Sequence, residues 1–249
     1  MGKALHTYRA DLHIHTVLSP CGDIEMTPRQ IIAKAASRGL DIIGISDHNS
    51  TRQCAEIKKV GAREGIFVLC GAEVTTREEV HCLAFFETPE ALSEFQKFLS
   101  ENLMPVENDV DKFGYQLVVN EDEEVLDQEP YLLINAISKN INEVEAEVHR
   151  LNGIFIPAHI NKMQNSLLSQ LGFVPPDLNF DALELSKHIS TESFLEKNKY
   201  LAKKTFIHSS DAHCVDDIGC IYTELQLHER SFEEIKNALQ NGLVAQDIC

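Results

Sequence analysis

The 249-residue sequence has no tryptophan, and its 22 Lys and Arg residues are outnumbered by 39 Asp and Glu, for a formal net charge of −17. Such a balance repels nucleic acid and anionic membrane through its long-range field, and no basic stripe offsets it. Long nucleic acid is thereby disfavoured as a partner. A small anionic substrate is not, because bound divalent cations can dominate the local potential. No apolar run approaches the ~18 residues of a membrane helix, and no apolar segment precedes Asp11 in the manner of a secretory signal. The seven cysteines are odd in number and include no C-x-x-C pair. That is poor material for a disulfide framework and points to a reducing, cytoplasmic setting. No Pro/Gly/Ser-rich linker, internal repeat or low-complexity tract divides the chain, so residues 1–249 are read as one domain. Ser209 and Ser210 lack a G-x-S-x-G turn, and no glycines form a phosphate-cradling loop.

What is present is an alternation of strand-like and helix-like segments. A first apolar stretch runs into Asp11-Leu-His-Ile-His15. Thr27, Pro28 and Gln30 then carry a helix-start signature, and Gly39 stands where a left-handed terminator belongs. Leu40 to His48 is a short apolar run suited to a strand buried on both faces. Ser50 and Gln53 repeat the capping-box spacing ahead of a second helix. Further strands are expected at Ile66–Glu73, Val80–Phe86, Ile154–Ile160, Asp181–Ser186 and Thr205–Ser210. Helices are expected after Thr88-Pro89, over Asn142–Asn152 and after Ser231. This rhythm predicts an α/β fold with a parallel sheet. An open doubly wound sheet and a closed barrel both satisfy it. The barrel is favoured because many strand ends would have to feed one site. Only the acidic stretch from about 101 to 129 breaks the pattern. It reads as an insertion over the barrel mouth, with a hairpin about Asn120-Glu-Asp-Glu123.

The chemistry lies at those strand ends. In His13-Ile-His15, residues two apart point to the same side of a strand and can reach one cation, with Asp11 available to fix a tautomer. Asp47-His48 closes a strand, Glu73 ends another, and His81 opens an apolar one. His159 and the pair Asp211/His213 repeat the pattern, and Asp23 lies in the first loop. Each fragment alone is more often structural than functional. Jointly, six of 11 histidines accompany Glu73, Asp211 and Asp23, a ligand mix suited to Zn, Mn or Fe. Burying so many titratable groups together without cations would be very unfavourable. Cys82 and Cys214 adjoin candidate ligands, but neighbours on a strand face opposite ways. His6, His149, His188, His208 and His228 belong to no such pattern.

These fragments, Asp-Leu-His13-Ile-His15-Thr, Ser46-Asp-His48-Asn, Gly71-Ala-Glu73-Val-Thr, His81, Pro157-Ala-His159 and Ser209-Ser-Asp211-Ala-His213, follow the order of the PHP (polymerase and histidinol phosphatase) family. The chain resembles that family from about Asp11 to beyond His213. The resemblance implies a distorted (β/α)7 TIM-like barrel holding two or three divalent ions. One ion would take His13, His15, Glu73 and Asp211. Glu73 would bridge to a second, held by His81 and His159. A third would take His48 and His213, with Asp23 where many members use another histidine.

Such a cluster activates water near neutral pH and clamps phosphoryl oxygens, so phosphoester hydrolysis is the expected reaction. The substrate expected is a small phosphorylated metabolite or nucleotide, with Asn161, Lys162 and Lys187 beyond strand ends as candidate contacts. Two other readings use the same residues. One is an exonuclease or oligoribonuclease with the same metals; the other is a non-catalytic, metal-stabilised binding domain.

Overall fold

In the computed structural model, which describes residues 4–245, the chain opens with β1 (His6–Ile14), α1 (Pro28–Ser37), β2 (Ile42–Ile45), α2 (Cys54–Glu64), β3 (Phe67–Thr75) and β4 (His81–Phe86). It continues with α3 (Pro89–Asn102), α4 (Val110–Phe113), β5 (Leu117–Val119), β6 (Val125–Gln128), α5 (Ile141–Arg150), β7 (Ile154–Pro157) and α6 (Leu167–Gln170). It ends with β8 (Leu183–Leu185), α7 (Thr191–Lys197), β9 (Phe206–His208), β10 (Thr223–Leu227), α8 (Phe232–Asn241) and β11 (Val244–Ala245). Among the described residues, no helix is long and apolar enough to cross a membrane.

Seven strands form one curled sheet in the order β11-β10-β1-β2-β3-β4-β7, and β8 and β9 make a separate parallel pair. That pair touches both ends of the curl. Asp181 N donates to Phe155 O and Ile160 N to Glu184 O, each at 2.9 Å, which ties β8 to the β7 side. Beyond β9, Ala212 bridges Ile14 in parallel, with its N–H on His13 O at 3.2 Å. Among the described residues no continuous ladder closes the ring, so the expected closed barrel is met by a half-barrel sheet and a bridging pair.

The parallel sheet expected from the alternating pattern is also only partly present. β1–β2 and β2–β3 are parallel. β3–β4, β4–β7, β1–β10 and β10–β11 are antiparallel. The reason is local: β3 and β4 are joined by residues 76–80, too few for the crossover helix that a parallel pair requires. Both faces of the sheet are nonetheless covered. Leu12, Leu69, Leu83 and Ile156 pack together in one apolar cluster. Ile31 and Ile57 of α1 and α2 cover Ile43 and Val68 in a second, and Phe95 and Val144 of α3 and α5 cover Val74 and Phe86 in a third. All four residues of β2 are therefore buried, as its unbroken apolar sequence predicts.

The end of β1 is irregular, and the irregularity lies beside His13. Asp11 pairs with Ile43 but Ile14 with Ile45, so β1 carries an extra residue at this point. The backbone of Leu12 then presses on Gly44, where an added Cβ would lie 2.5 Å from Leu12 O.

The helix starts differ in how local they are. Pro28 opens α1, but Thr27 makes no side-chain cap. Ser231 does cap α8, accepting from Glu234 N. The capping box read at Ser50 and Gln53 is not formed. The Gln53 amide instead pairs with both backbone groups of Val119, donating at 2.8 Å and accepting at 2.9 Å.

Val119 belongs to the predicted excursion, whose hairpin is β5–β6 around Asn120–Glu123. The hairpin is tied to α1 and α2 through Arg29 with Asp122 and Arg63 with Glu121. The return leg is held at the sheet's rim by the Asn49 amide, which donates to Leu133 O and Asn135 O at 2.8 Å while its oxygen accepts from Thr75 N.

Because Gly44 makes room for the irregular end of β1, Gly44→Ala is expected to cost about 1–3 kcal/mol through overpacking. Urea unfolding monitored by circular dichroism checks this, and an unchanged midpoint would show that Leu12 can retreat freely.

Candidate metal centre

One end of the curled sheet gathers the titratable residues. His13 and His15 come from the end of β1, His48 follows β2, Glu73 lies near the end of β3 and His81 opens β4. His159 follows β7, and Asp211 and His213 follow β9. The backbone fixes several of these positions directly. His48 and Glu73 form a parallel bridge, with Glu73 N donating to Asp47 O at 3.0 Å and Asn49 N to Glu73 O at 2.9 Å. His159 and Asp211 sit in the left-handed region, with φ of 29° and 53°. Few non-glycine residues adopt that conformation, and at functional sites the surrounding structure enforces it.

The centre is built around the buried carboxylate of Glu73. Its Oε1 lies 3.2 Å from His13 Nε2, 2.8 Å from His81 Nδ1 and 3.1 Å from His159 Nε2. Its Oε2 lies 3.0 Å from His48 Nδ1 and 3.5 Å from His15 Nε2. Asp211 Oδ1 adds a second carboxylate, 3.5 Å from Nε2 of both His13 and His15. The two Nε2 atoms of that pair are themselves 3.2 Å apart, so residues two apart on β1 do converge.

Partners behind the rings set which nitrogen faces inward. His13 Nδ1 lies 3.0 Å from Glu184 Oε2, an acceptor that also takes the His159 N–H at 2.9 Å. Nδ1 therefore keeps its proton on Glu184, and Nε2 is the nitrogen that faces the cluster and would bind a cation in place of a proton. For His15 the same task falls to Ser19. The Ser19 hydroxyl donates to Asp47 at 2.7 Å, so it accepts from His15 Nδ1 at 3.0 Å. Asp11, expected to fix a tautomer, instead accepts from Ser210 N and Gly219 N, each at 2.9 Å.

Burial and charge oppose one another throughout. Burial disfavours the Glu73 carboxylate, but His81, His13 and His48 outweigh it and hold the group well below its usual range. Burial likewise opposes a charged His13, yet Glu184, Asp211 and Glu73 raise it well above an ordinary imidazole. His15 is driven the other way, by burial and then by His213 and His48. Burial pushes Asp11 up to about 6 against its hydrogen bonds from Ser210. Neighbouring imidazoles thus sit at opposite extremes, one governed by adjacent carboxylates and the other by burial and adjacent imidazoles.

The donor set fits divalent metal. Tetrahedral ligands about 2.0–2.1 Å from zinc stand ~3.3 Å apart, close to the 3.2 Å between His13 Nε2 and either His15 Nε2 or Glu73 Oε1. Three sets of ligand atoms lie within 4.8 Å of one another: His13/His15/Glu73, His48/Glu73/His81 and His15/Cys21/His48/His213. Buried ring nitrogens without a hydrogen-bond partner, His81 Nε2 and His159 Nδ1, are further candidate donors.

Not every expected residue joins the cluster. Asp23 is exposed, and its Oδ1 accepts from Glu25 N at 2.9 Å in a local turn. Cys21 from the same loop, although also exposed, has its sulfur near the histidines, at the lip of a cavity of about 230 Å³ bordered also by Ile134, just after the excursion. Desolvation, then the charge of Glu73, pushes its thiol up to about 12. Cys82 packs in an apolar cluster away from the site. Lys162 and Lys187 line a neighbouring cavity of about 270 Å³, as does His188. Lys162 is paired with Asp211, and Lys187 Nζ lies 3.3 Å from Asp217. Asn161 spends its amide on Ser186, donating to Oγ and accepting from N at 2.8 Å each. Sequence reasoning missed Glu184, Ser19 and Cys21. Only Glu184 leaves a signal, as a carboxylate between Leu183 and Leu185 in a buried strand.

The fold and this centre define a metal-site α/β protein, and comparison with known proteins places it. Residues 11–170 match the PHP domain and 201–244 the PHP-associated region. The chain belongs to the PHP family. It is 25% identical over 263 residues to the uncharacterised protein YqxK of Bacillus subtilis, covering 93% of this chain and 61% of that one. A 3',5'-nucleoside bisphosphate phosphatase of Chromobacterium violaceum is 38% identical over 74 residues, 28% of this chain and 25% of the enzyme. Among solved structures, the lesion-specific endonuclease PfuEndoQ of Pyrococcus furiosus superposes with a TM-score of 0.70 at 19% identity. That match covers 94% of this chain and 56% of the endonuclease. The chain thus spans less than two thirds of each of these proteins.

Removing the carboxylate behind His13 should loosen the centre without touching a ligand. Glu184→Gln is expected to lower metal affinity by about 10–100-fold, the usual effect of losing such a partner. A competitive chelator titration measures it, and affinity equal to the parent's would deny Glu184 this orienting role.

Proposed function

We propose that the cluster is the active centre of a metal-dependent phosphoesterase acting on a small phosphorylated metabolite or nucleotide. The observation that carries this reading is Glu73, a buried carboxylate within 3.5 Å of ring nitrogens from five histidines. Five imidazoles around one carboxylate far exceed its hydrogen-bonding needs and suit a carboxylate shared between cations. Two or three bound divalent ions, Zn, Mn or Fe, would supply water activation and charge stabilisation at a phosphoryl group.

The chain's own residues do the rest. Glu184 and Ser19 hold the His13 and His15 rings by Nδ1, turning both Nε2 atoms toward the cluster. Lys162 and Lys187 put positive charge into the adjoining cavity, where phosphate oxygens would lie. Lys162 stays charged, since Asp211 outweighs the effect of its burial. Asn161 braces the loop of Ser186 and is a weaker substrate contact than its position in sequence suggests. The adjoining cavities suit a compact ligand, as does the phosphatase relative's 3',5'-nucleoside bisphosphate. Net charge alone does not rule long nucleic acid out as a partner. Endonuclease Q, of the same fold, is known in complex with a 27-mer duplex bearing an abasic lesion.

A metal-supplemented hydrolysis screen tests the reading, with an aryl phosphate, nucleotides, nucleoside bisphosphates, sugar phosphates, short oligonucleotides and an abasic duplex. Phosphate release that a chelator abolishes is expected, and Glu73→Ala is expected to reduce it by more than about 100-fold. A folded Glu73→Ala variant with undiminished turnover would sink the bridging role. Cleavage of the duplex alone would move the assignment to a nuclease.

A further inference from the structure

Resting on the reading of this cluster as a metal centre, we infer that Cys21 is a thiolate ligand of the third cation site. Its nitrogen partners are His48 and His213, and the sulfur makes the site selective for a thiophilic ion. The sulfur of Cys21 and one nitrogen each from His15, His48 and His213 lie within 4.8 Å of one another. His15 is already engaged, through Nδ1 with Ser19 and through Nε2 toward His13, Glu73 and Asp211. His48 and His213 are the remaining nitrogens.

Both have atoms to offer. His48 is 3% exposed, and its Nδ1 makes no hydrogen bond although Glu73 Oε2 is 3.0 Å away. His213 Nδ1 donates to Asp211 O at 2.9 Å, which leaves Nε2 as its lone-pair atom. The loop geometry brings the sulfur, and not the Asp23 carboxylate, among these ring nitrogens, while Asp23 N donates to His213 O at 2.8 Å. Gly22 N donates to Ser19 O at 2.9 Å, and a Cβ on Gly22 would lie 2.4 Å from Thr16 O. The tight winding that only glycine allows there sets Cys21 on the cavity side with His48 and His213. Two residues on, the Asp23 carboxylate is taken by Glu25 N.

A thiolate changes what the site holds. Sulfur favours Zn(II), Fe(II) or Co(II) over Mn(II) or Mg(II), which an all-oxygen-and-imidazole site accepts more readily. Binding transfers the Cys21 thiol proton to solvent and forms one metal–sulfur bond, with no change of oxidation state.

The test is Co(II) titration of the metal-stripped full chain, followed by near-ultraviolet absorption and bound-metal analysis. The third equivalent is expected to bring a thiolate-to-cobalt charge-transfer band. Cys21→Ser should lose that band and weaken Zn(II) binding at the third site by about 100-fold or more, since removing a ligand exceeds losing its supporting partner. Cys21→Asp should keep three ions without the band, and circular dichroism confirms that each variant folds. Asp23→Ala and Cys214→Ser should retain both band and stoichiometry. Three bound Co(II) ions without a band, or loss of the third ion in Asp23→Ala, would overturn the inference. Two ions with chelator-sensitive hydrolysis and no band would overturn it while leaving the proposed function standing. Failure to bind any ion would overturn both.

Discussion

The structure depends on one interaction, the burial of the Glu73 carboxylate beneath imidazoles drawn from four separate stretches of chain. A charge at 1% exposure is tolerable only when it is compensated on every side. That requirement accounts for much of the surrounding architecture. Backbone bonds clamp Asp47 and Asn49 to either side of Glu73, and the short β3–β4 turn sets His81 opposite Thr75 in the register. The irregular end of β1 sets His13 against Oε1. Each device costs some local regularity, which the packing of helices on both faces offsets.

The second tier of the site shows how little of this centre is autonomous. Glu184 serves two histidines at once, accepting from a His13 ring nitrogen and from the His159 backbone. Asp47 holds Ser19 and Thr16, which carry the first loop past His15. The excursion between α3 and α5 is fastened to the same rim, through Asn49 and Gln53. Its return leg brings Ile134 to the cavity, while the hairpin strand β6 stays fully exposed. The part that borders the chemistry is therefore the tethered leg.

Much of the convergent cluster was legible because its residues violate their surroundings: a histidine opening an apolar strand, or a carboxylate ending one. Order along the chain then made the family visible. Burial on both faces of β2 was legible for the same reason, its unbroken apolar run. Strand direction was not, because hydrophobic periodicity does not distinguish a tight turn from a crossover until the connection is built. Gln53 misled for a different reason: its cap-like spacing is real, but a strand 66 residues away competes for the amide and wins. Asp23 and Cys21 differ by two positions, and nothing in composition says which faces inward. Only the coil at Gly22 decides that.

The bond between Ala212 and His13 joins positions almost 200 residues apart, as do those from Ser210 to Asp11 and from Leu12 to Ser209. In chain order His13 and His15 come first in the cluster and Asp211 and His213 last. His13 and His15 are therefore synthesised long before the Asp211 that stands against them. Folding must close this long loop before the cluster is assembled, so its assembly is slow by topology alone.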